Sequence, residues 1–359
     1  MKYSVIVPVY NRPNECEELL ESLTHQTQRD FEVIIVEDGS SVPCRDVVER
    51  YADKLAVHYY DKPNSGPGQT RNYGVERANG EYVIILDSDV VLPEGYFAAI
   101  DAELAANPCD AFGGPDRAHE SFSTTQKAIN YAMTSFFTTG GIRGGKAKLD
   151  KFYPRSFNMG VRREVYQALE GFSAMRFGED IDFSTRIFKG GYRCRLFPDA
   201  WVYHKRRIFK SGYRCRLFPE AWVYHKRRTD LKKFFKQVHN SGIARIHLSH
   251  RHPGTHKLVH LLPAVFTLGV AFLLVLALLS LCFGYEIGTF FSLSPLLLFA
   301  LLIAVDAARQ SRSLAVGITA IAAAFVQLTG YGTGYLSAWW RCNVRGEGEF
   351  EAFSQTFYQ

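Results

Sequence analysis

Apolar residues recur along this chain in two rhythms. In the first third they form short runs: Tyr3-Ser4-Val5-Ile6-Val7-Pro8-Val9, Phe31-Glu32-Val33-Ile34-Ile35-Val36, Ala56–Tyr60 and Tyr82-Val83-Ile84-Ile85-Leu86. Such runs, bounded by turn residues like Gly39 and Asn79-Gly80, predict buried strands. Between them, Leu19, Leu20 and Leu23, the stretch Val47–Tyr51, and the segment opened by Gln69-Thr70-Arg71 have helical spacing. A β-α-β-α-β-α-β alternation predicts a mostly parallel sheet covered on both faces, with its working groups beyond the strand C-termini. From Leu258 onward the rhythm changes. No Asp, Glu, Lys or Arg lies between Lys257 and Glu286. Leu258–Tyr285, Ile287–Val305 and Leu314–Trp340 are each near the ~20 apolar residues that cross a bilayer. The third is interrupted by Gly330, Gly332 and Gly334 and ends in Trp339-Trp340, the aromatic character of a membrane interface.

Charge changes this picture by giving it an orientation. Residues 205–257 carry fifteen Lys and Arg against Glu220 and Asp230, a local excess of +13 in a chain of net charge +6. A basic segment just before a span is expected to stay cytoplasmic and to attract anionic lipid headgroups. The adjoining spans argue against nucleic acid as its partner. Met1-Lys2 leads straight into the first strand, so no signal peptide is expected. The expected organisation is a cytoplasmic catalytic domain over 1–245, a basic membrane-proximal segment over 246–257, a membrane region over 258–340 and a tail over 341–359, all at the inner membrane. The seven cysteines include no Cys-x-x-Cys pair, so neither a disulfide framework nor a zinc site is suggested.

Asp87-Ser88-Asp89 directly follows the run Tyr82–Leu86. Two carboxylates at that point suit a Mg²⁺ or Mn²⁺ ion that takes its remaining oxygens from a diphosphate and water. Together with Val7-Pro8-Val9-Tyr10-Asn11, Glu37-Asp38-Gly39-Ser40, Arg71-Asn72-Tyr73-Gly74 and Gly178-Glu179-Asp180, this motif makes residues 3–245 resemble the family 2 inverting glycosyltransferases. The resemblance implies an α/β fold of the GT-A type and a nucleotide-sugar donor. It also implies a role for each motif. Asp89 would be the leading metal ligand, with Asp87 on the metal or the ribose. Asp38 would read the nucleobase in a pocket lined by Pro8, Tyr10 and Asn11, and Arg71 would meet phosphate. Asp180 would be the general base, with Glu179 the second choice. Plainer readings stand beside these: an Asx-turn for Asp38, a surface position for Arg71 and helix capping for Asp180. Gly- and Lys-rich Thr138–Lys151 reads as a loop over the acceptor site, and Asn158 as a residue near acceptor or donor. No Gln-x-x-Arg-Trp motif follows the base, so single addition of a sugar to a lipid-linked or membrane-proximal glycan is favoured. Alternatives are a polyprenyl-phosphate glycosyl synthase and a protein inactivated by the feature described next.

Ile187–Arg207 is repeated almost unchanged as Ile208–Arg228, the two differing at Gly190/Ser211 and Asp199/Glu220. Two copies do not make a solenoid. In the resemblance a single such unit follows the Glu-Asp motif, so one copy must fill the native slot and the other lie elsewhere. Copy one continues directly from the helix beginning at Asp180 and is expected in the slot, with Phe218 and Trp222 of copy two bulging outward. His204 or His225 would add a metal or phosphate contact.

Overall fold

A computed structural model describes residues 1–114, 116–117, 123–139, 153–175, 177–195, 214–217, 223–225 and 230–348. In chain order the elements are β1 (Tyr3–Val9), α1 (Pro13–Thr24), β2 (Phe31–Asp38), α2 (Arg45–Glu49), β3 (Val57–Lys62), α3 (Pro67–Val75), β4 (Tyr82–Leu86) and β5 (Val90–Val91). Then come α4 (Tyr96–Ala106), β6 (Ala111–Gly113), β7 (Asp116–Arg117), α5 (Thr124–Thr134), α6 (Phe136–Thr139), β8 (Asn158–Arg162), α7 (Arg163–Ala168) and α8 (Glu179–Lys189). The chain continues through β9 (Arg193–Arg195), β10 (Arg214–Leu217), β11 (Val223–His225), α9 (Leu231–Arg251), α10 (Leu262–Cys282), α11 (Glu286–Ser311) and α12 (Leu314–Trp339). These elements divide into two compact units. One holds all the strands with α1–α4, α7 and α8; the other holds α5, α6 and α9–α12.

The strand-bearing unit is an eight-stranded sheet of order β3-β2-β1-β4-β8-β6-β10-β9, with a small sheet β5-β11-β7. Among the described strands of the large sheet, only β8 runs against its neighbours, β4 and β6. The first strands are near-continuous apolar runs because they are buried on both faces. Tyr3, Val5, Val7 and Val9 point toward α1, α2 and α4, where Leu19, Leu20, Val47, Phe97 and Ile100 meet them. Ile6, Ile34, Val36, Val83 and Ile85 point the other way, against Val75, Tyr166, Phe172 and Phe183. This is the mostly parallel α/β sheet, covered on both faces, that the sequence predicts.

The duplicated unit departs from expectation. Copy two, not copy one, takes the place beside β6: Cys215 pairs with Ala111 and Leu217 with Gly113. Copy two also supplies β11, which joins β5 and β7. The strand of copy one lies outside β10, parallel and in register with its own duplicate: Arg193↔Arg214, Cys194↔Cys215, Arg195↔Arg216. The expectation rested on the shorter chain closure to copy one. Closure entropy changes by only ~0.6 kcal/mol per doubling of loop length, whereas each ladder hydrogen bond contributes ~0.5–1.5 kcal/mol. The closure term is therefore small, and ladders that either copy can make do not oblige copy one to take the slot. Phe218, Trp222 and His204 lie outside the described residues.

Among the described residues of the second unit, three helices are long and apolar enough to cross a membrane: Leu258–Cys282, Glu286–Ser311 and Leu314–Val344. The glycines that were expected to interrupt the third stretch do not break it. They let neighbours approach, as small residues do between apolar helices. A Cβ on Gly334 would stand 2.0 Å from the His239 carbonyl oxygen of α9, and one on Gly332 would stand 2.4 Å from the Pro263 carbonyl oxygen of α10. The domain boundary expected at residue 245 falls inside α9, which groups with the apolar helices.

Candidate functional site

The expected motifs meet at the C-terminal ends of β1, β2 and β4 and at the N-terminal ends of α3 and α8. Arg71 is the residue that joins them. Its buried guanidinium bonds Asp87 Oδ1 at 2.8 Å through Nη2 and Glu179 Oε1 at 3.2 Å through Nη1. It lies over the Phe172 ring, 5.4 Å from the centroid, a contact that favours a cation. The remainder of the Arg71-Asn72-Tyr73-Gly74 motif explains why Arg71 sits there. Asn72 Oδ1 accepts from the Phe172 N–H at 2.8 Å and the Tyr166 hydroxyl at 2.6 Å, and its Nδ2 donates to the Phe172 carbonyl. Gly74 lets α3 lie against β1, since a Cβ there would be 2.7 Å from Ile6 Cγ2.

Glu179 and Asp180 open α8 after Gly178, whose φ of +81° is left-handed. Their charges are stabilised by the helix N-terminus. Asp180 Oδ2 pairs with Arg155 Nε at 2.7 Å, and its Oδ1 accepts the Ile181 N–H at 2.8 Å. Burial raises the Glu179 carboxyl above its ordinary range, Asp180 adds to that, and Arg71 opposes it. Further along α8, Asp182 holds Arg186 at 2.9 Å and Ser173 at 2.7 Å. Arg186 in turn donates to the Gly171 carbonyl, so α8 fixes the turn that carries Phe172.

Asp38 is used more heavily than its expected role implies. Its Oδ1 accepts from Lys62 Nζ at 2.7 Å and the Ser65 N–H at 2.9 Å, and its Oδ2 accepts from the Gly66 N–H at 2.9 Å. With 2% of its surface exposed, Asp38 here holds the Asn64–Gly66 loop at the mouth of β2. The next strand over, β1, ends at Val9 and leads to Asn11, a residue with φ +52°. Its Oδ1 accepts from the Val42 N–H at 2.9 Å and from Ser41 Oγ at 3.0 Å. Pro8 lies beyond the last β1–β4 pair, Ile6↔Ile85, where its missing N–H removes no ladder bond on that side. Pro8 and Tyr10 are half-buried.

The two carboxylates after β4 each face an arginine. Asp87 faces Arg71, and Asp89 Oδ2 lies 2.6 Å from Arg12 Nη1. Among the described residues no group of three or more His, Cys, Asp or Glu stands together as a self-sufficient metal cage. Two neighbouring carboxylates are instead what a nucleotide-bound Mg²⁺ or Mn²⁺ takes from a protein, so the donor set fits that kind of ion. The backbone of β11 runs antiparallel to β5 with His225 opposite Val90, the residue that follows Asp89. Asn158, expected near the substrates, is buried opposite Leu86 and accepts from the Tyr96 hydroxyl at 2.7 Å. Most of the Thr138–Lys151 loop lies outside the described residues.

The cations Arg12, Lys62 and Arg155 were not singled out in the sequence. Each binds a carboxylate that was, from 77, 24 and 25 residues away respectively. Arg12 adjoins Asn11 and was within reach of a motif-based reading; Arg155 and Lys62 had no local signal.

Comparison with known proteins fits this geometry. Residues 4–169 match the family described as Glycosyl transferase family 2. This part of the chain is a family 2 glycosyltransferase domain. An uncharacterized glycosyltransferase of Rickettsia felis is 41% identical over 137 residues, 38% of this chain and 22% of that protein. A poly(ribitol-phosphate) beta-N-acetylglucosaminyltransferase of Staphylococcus aureus is 42% identical over 93 residues, 25% of this chain and 16% of that protein. The chain thus spans less than a quarter of the length of either relative. Among solved structures, a mannosyltransferase from Pyrobaculum calidifontis in complex with GDP-Man and Mn²⁺ superposes with a TM-score of 0.51 at 19% identity. That match covers 91% of this chain and 87% of the other, and it supports the fold of this family 2 domain.

Proposed function

We propose that the chain is a metal-dependent, inverting glycosyltransferase anchored in the inner membrane. It would move one sugar from a nucleotide sugar to a lipid-linked or membrane-proximal glycan during glycan assembly, with its catalytic unit in the cytoplasm. The observation that supports this reading best is the Asp87–Arg71–Glu179 bridge, which links the strand-end carboxylates to the acidic start of α8. The relatives named for sugar transfer and the neighbour bound to GDP-Man and Mn²⁺ support the donor class and the cation. Three apolar helices behind a basic segment support the anchoring.

In this reading Asp89 and Asp87 would hold a divalent cation, which would supply Lewis-acid neutralisation of the diphosphate leaving group. Pro8, Tyr10 and Asn11 border the nucleobase and ribose, and Asp38 shapes that pocket through the loop it holds. Arg71 keeps Asp87 and Glu179 at a fixed separation. Asp180 accepts the proton of the acceptor hydroxyl as that oxygen attacks the anomeric carbon. The bond to the diphosphate breaks on the opposite face, so the configuration inverts. His225, whose backbone pairs with Val90, would be the candidate for a further metal or phosphate contact.

The test is turnover of purified protein against UDP-, GDP- and dTDP-sugars with Mn²⁺ or Mg²⁺, and with EDTA. One donor class should be consumed, and EDTA should stop it. Asp180→Asn should keep donor binding and lose ~10²–10⁴-fold in transfer, the usual scale for a general base. Full transfer by Asp180→Asn would move the role to Glu179. The raised carboxyl of Glu179 would then set the acid limb of the rate–pH profile above the usual carboxylate range, and Glu179→Gln would abolish that limb. Consumption of no donor by the parent protein would overturn the reading.

A further inference from the structure

The cation that covers Asp89 in this structure is supplied by the chain itself. Arg12 Nη1 reaches Asp89 Oδ2 at 2.6 Å while 36% of the arginine side chain stays exposed. Asp87 and Glu15 also act on this guanidinium through their charge. Its position is built rather than incidental. Asn11 donates its backbone N–H to Ser40 Oγ at 2.8 Å and accepts from Val42 and Ser41, so the exit of β1 is clamped to the exit of β2. Arg12 follows at once as the N-cap of α1 and makes no side-chain capping bond there. A helix N-terminus repels a cation by ~0.3–1 kcal/mol. Helix stability therefore gives no reason for an arginine at this position, and Asp89 does.

We propose that Arg12 is an exchangeable counter-ion. Without ligand it neutralises Asp89; when a divalent cation takes Asp89, Arg12 moves to the diphosphate oxygens of the donor. This rests on reading Asp87 and Asp89 as cation ligands. A cation arriving alone must break the Arg12–Asp89 pair, which leaves Arg12 to the weaker pull of Asp87 and Glu15. A diphosphate arriving alone can draw Arg12 away only by breaking its 2.6 Å pair with Asp89. When both arrive, Asp89 exchanges Arg12 for the cation and Arg12 exchanges Asp89 for the diphosphate. Arg12 therefore couples the two binding events, and linkage makes that coupling reciprocal.

The experiment measures Mn²⁺ binding to the full chain in detergent by electron paramagnetic resonance, with and without UDP or GDP. The parent, Arg12→Ala, Arg12→Lys and Asp89→Ala are compared. Without nucleotide, Arg12→Ala should bind Mn²⁺ about tenfold more tightly than the parent, within the range of ordinary coupling energies. With UDP or GDP that advantage should vanish or reverse. Arg12→Lys, which keeps the charge without the forked reach, should fall between. If Arg12→Ala binds Mn²⁺ no more tightly than the parent while Asp89→Ala abolishes binding, the proposal fails and the cation reading stands. If the parent binds no Mn²⁺ even with UDP or GDP, both fall.

Discussion

Two stretches of this chain have nearly the same sequence and different places in the fold. Copy two of the duplicated unit lies inside the large sheet, with β6 on one side and β9 on the other, and also forms β11 beside β5. The described strand of copy one adds at the outer edge. Side-chain preference cannot distinguish two segments that differ at Gly190/Ser211 and Asp199/Glu220. Position is therefore decided by neighbours: β6 offers a parallel partner, β5 an antiparallel one, and copy two answers both. The surplus strand finds a partner as well, because a parallel strand in register with its own duplicate sets like residues opposite each other. Duplicating a strand-forming unit thus brings a ready-made partner for the extra strand. The sheet can widen by one strand without rebuilding the strands that hold Asp87 and Asp89.

The comparison can be broken most sharply by proline. A proline inside a sheet removes a ladder hydrogen bond and is tolerated chiefly at edges. Cys215→Pro, in the strand paired on both sides, should lower stability markedly, by a ladder hydrogen bond and the distortion of a strand that has no free edge. Cys194→Pro, in the outer strand, should cost clearly less. Denaturation of the two variants side by side checks this, and equal losses would mean that the copies share the slot.

A smaller effect is expected at the duplicated histidines. His225 lies in register beside the residue after Asp89, so His225→Ala should weaken Mn²⁺ binding and Mn²⁺-dependent turnover by ~10–100-fold, as loss of metal-site groups commonly does. His204→Ala should leave both near the parent level. The opposite ranking would show that copy one serves the site.

The same contrast explains what could be read from the sequence. β1, β2 and β4 are legible because burial on both faces writes them as apolar runs, and the rule of strand C-termini then points to Asp38, Asp87 and Asp89. Asp180 and Glu179 are legible as an acidic pair after a glycine. The ion pairs that organise the site are not, since Arg155 and Asp180 are brought together only by the folded chain. Helix α5 was missed for a related reason. Its buried face is made of Ala128, Ile129, Tyr131, Ala132 and Met133 in an otherwise polar segment, and the Tyr131 hydroxyl bonds Asp306 at 2.6 Å. α11 runs past Val305, where the uncharged stretch ends, to Ser311.

The smallest expected effect belongs to deletion, and it tests the claim that neighbours rather than sequence choose the slot. Removing Ile187–Arg207 or Ile208–Arg228 leaves chains that differ at just the two positions where the copies differ. Neither deletion can show which copy held the slot in the parent; both show whether a lone unit finds it. With one copy present, β6 and β5 still offer their pairing edges, so the remaining unit should supply both inner strands in either chain. What is lost is the ladder between β9 and β10, three residue pairs long, offset by a loop shorter by one unit. Melting temperatures of the two deletion variants should agree with each other and lie within about 4 °C of the parent, the shift that ~1 kcal/mol makes in a domain of this size. Mn²⁺-dependent turnover should survive in both. A deletion variant that melts far lower and turns over no donor would mean that the outer strand supports the inner one, and the two copies would then be a single structural unit.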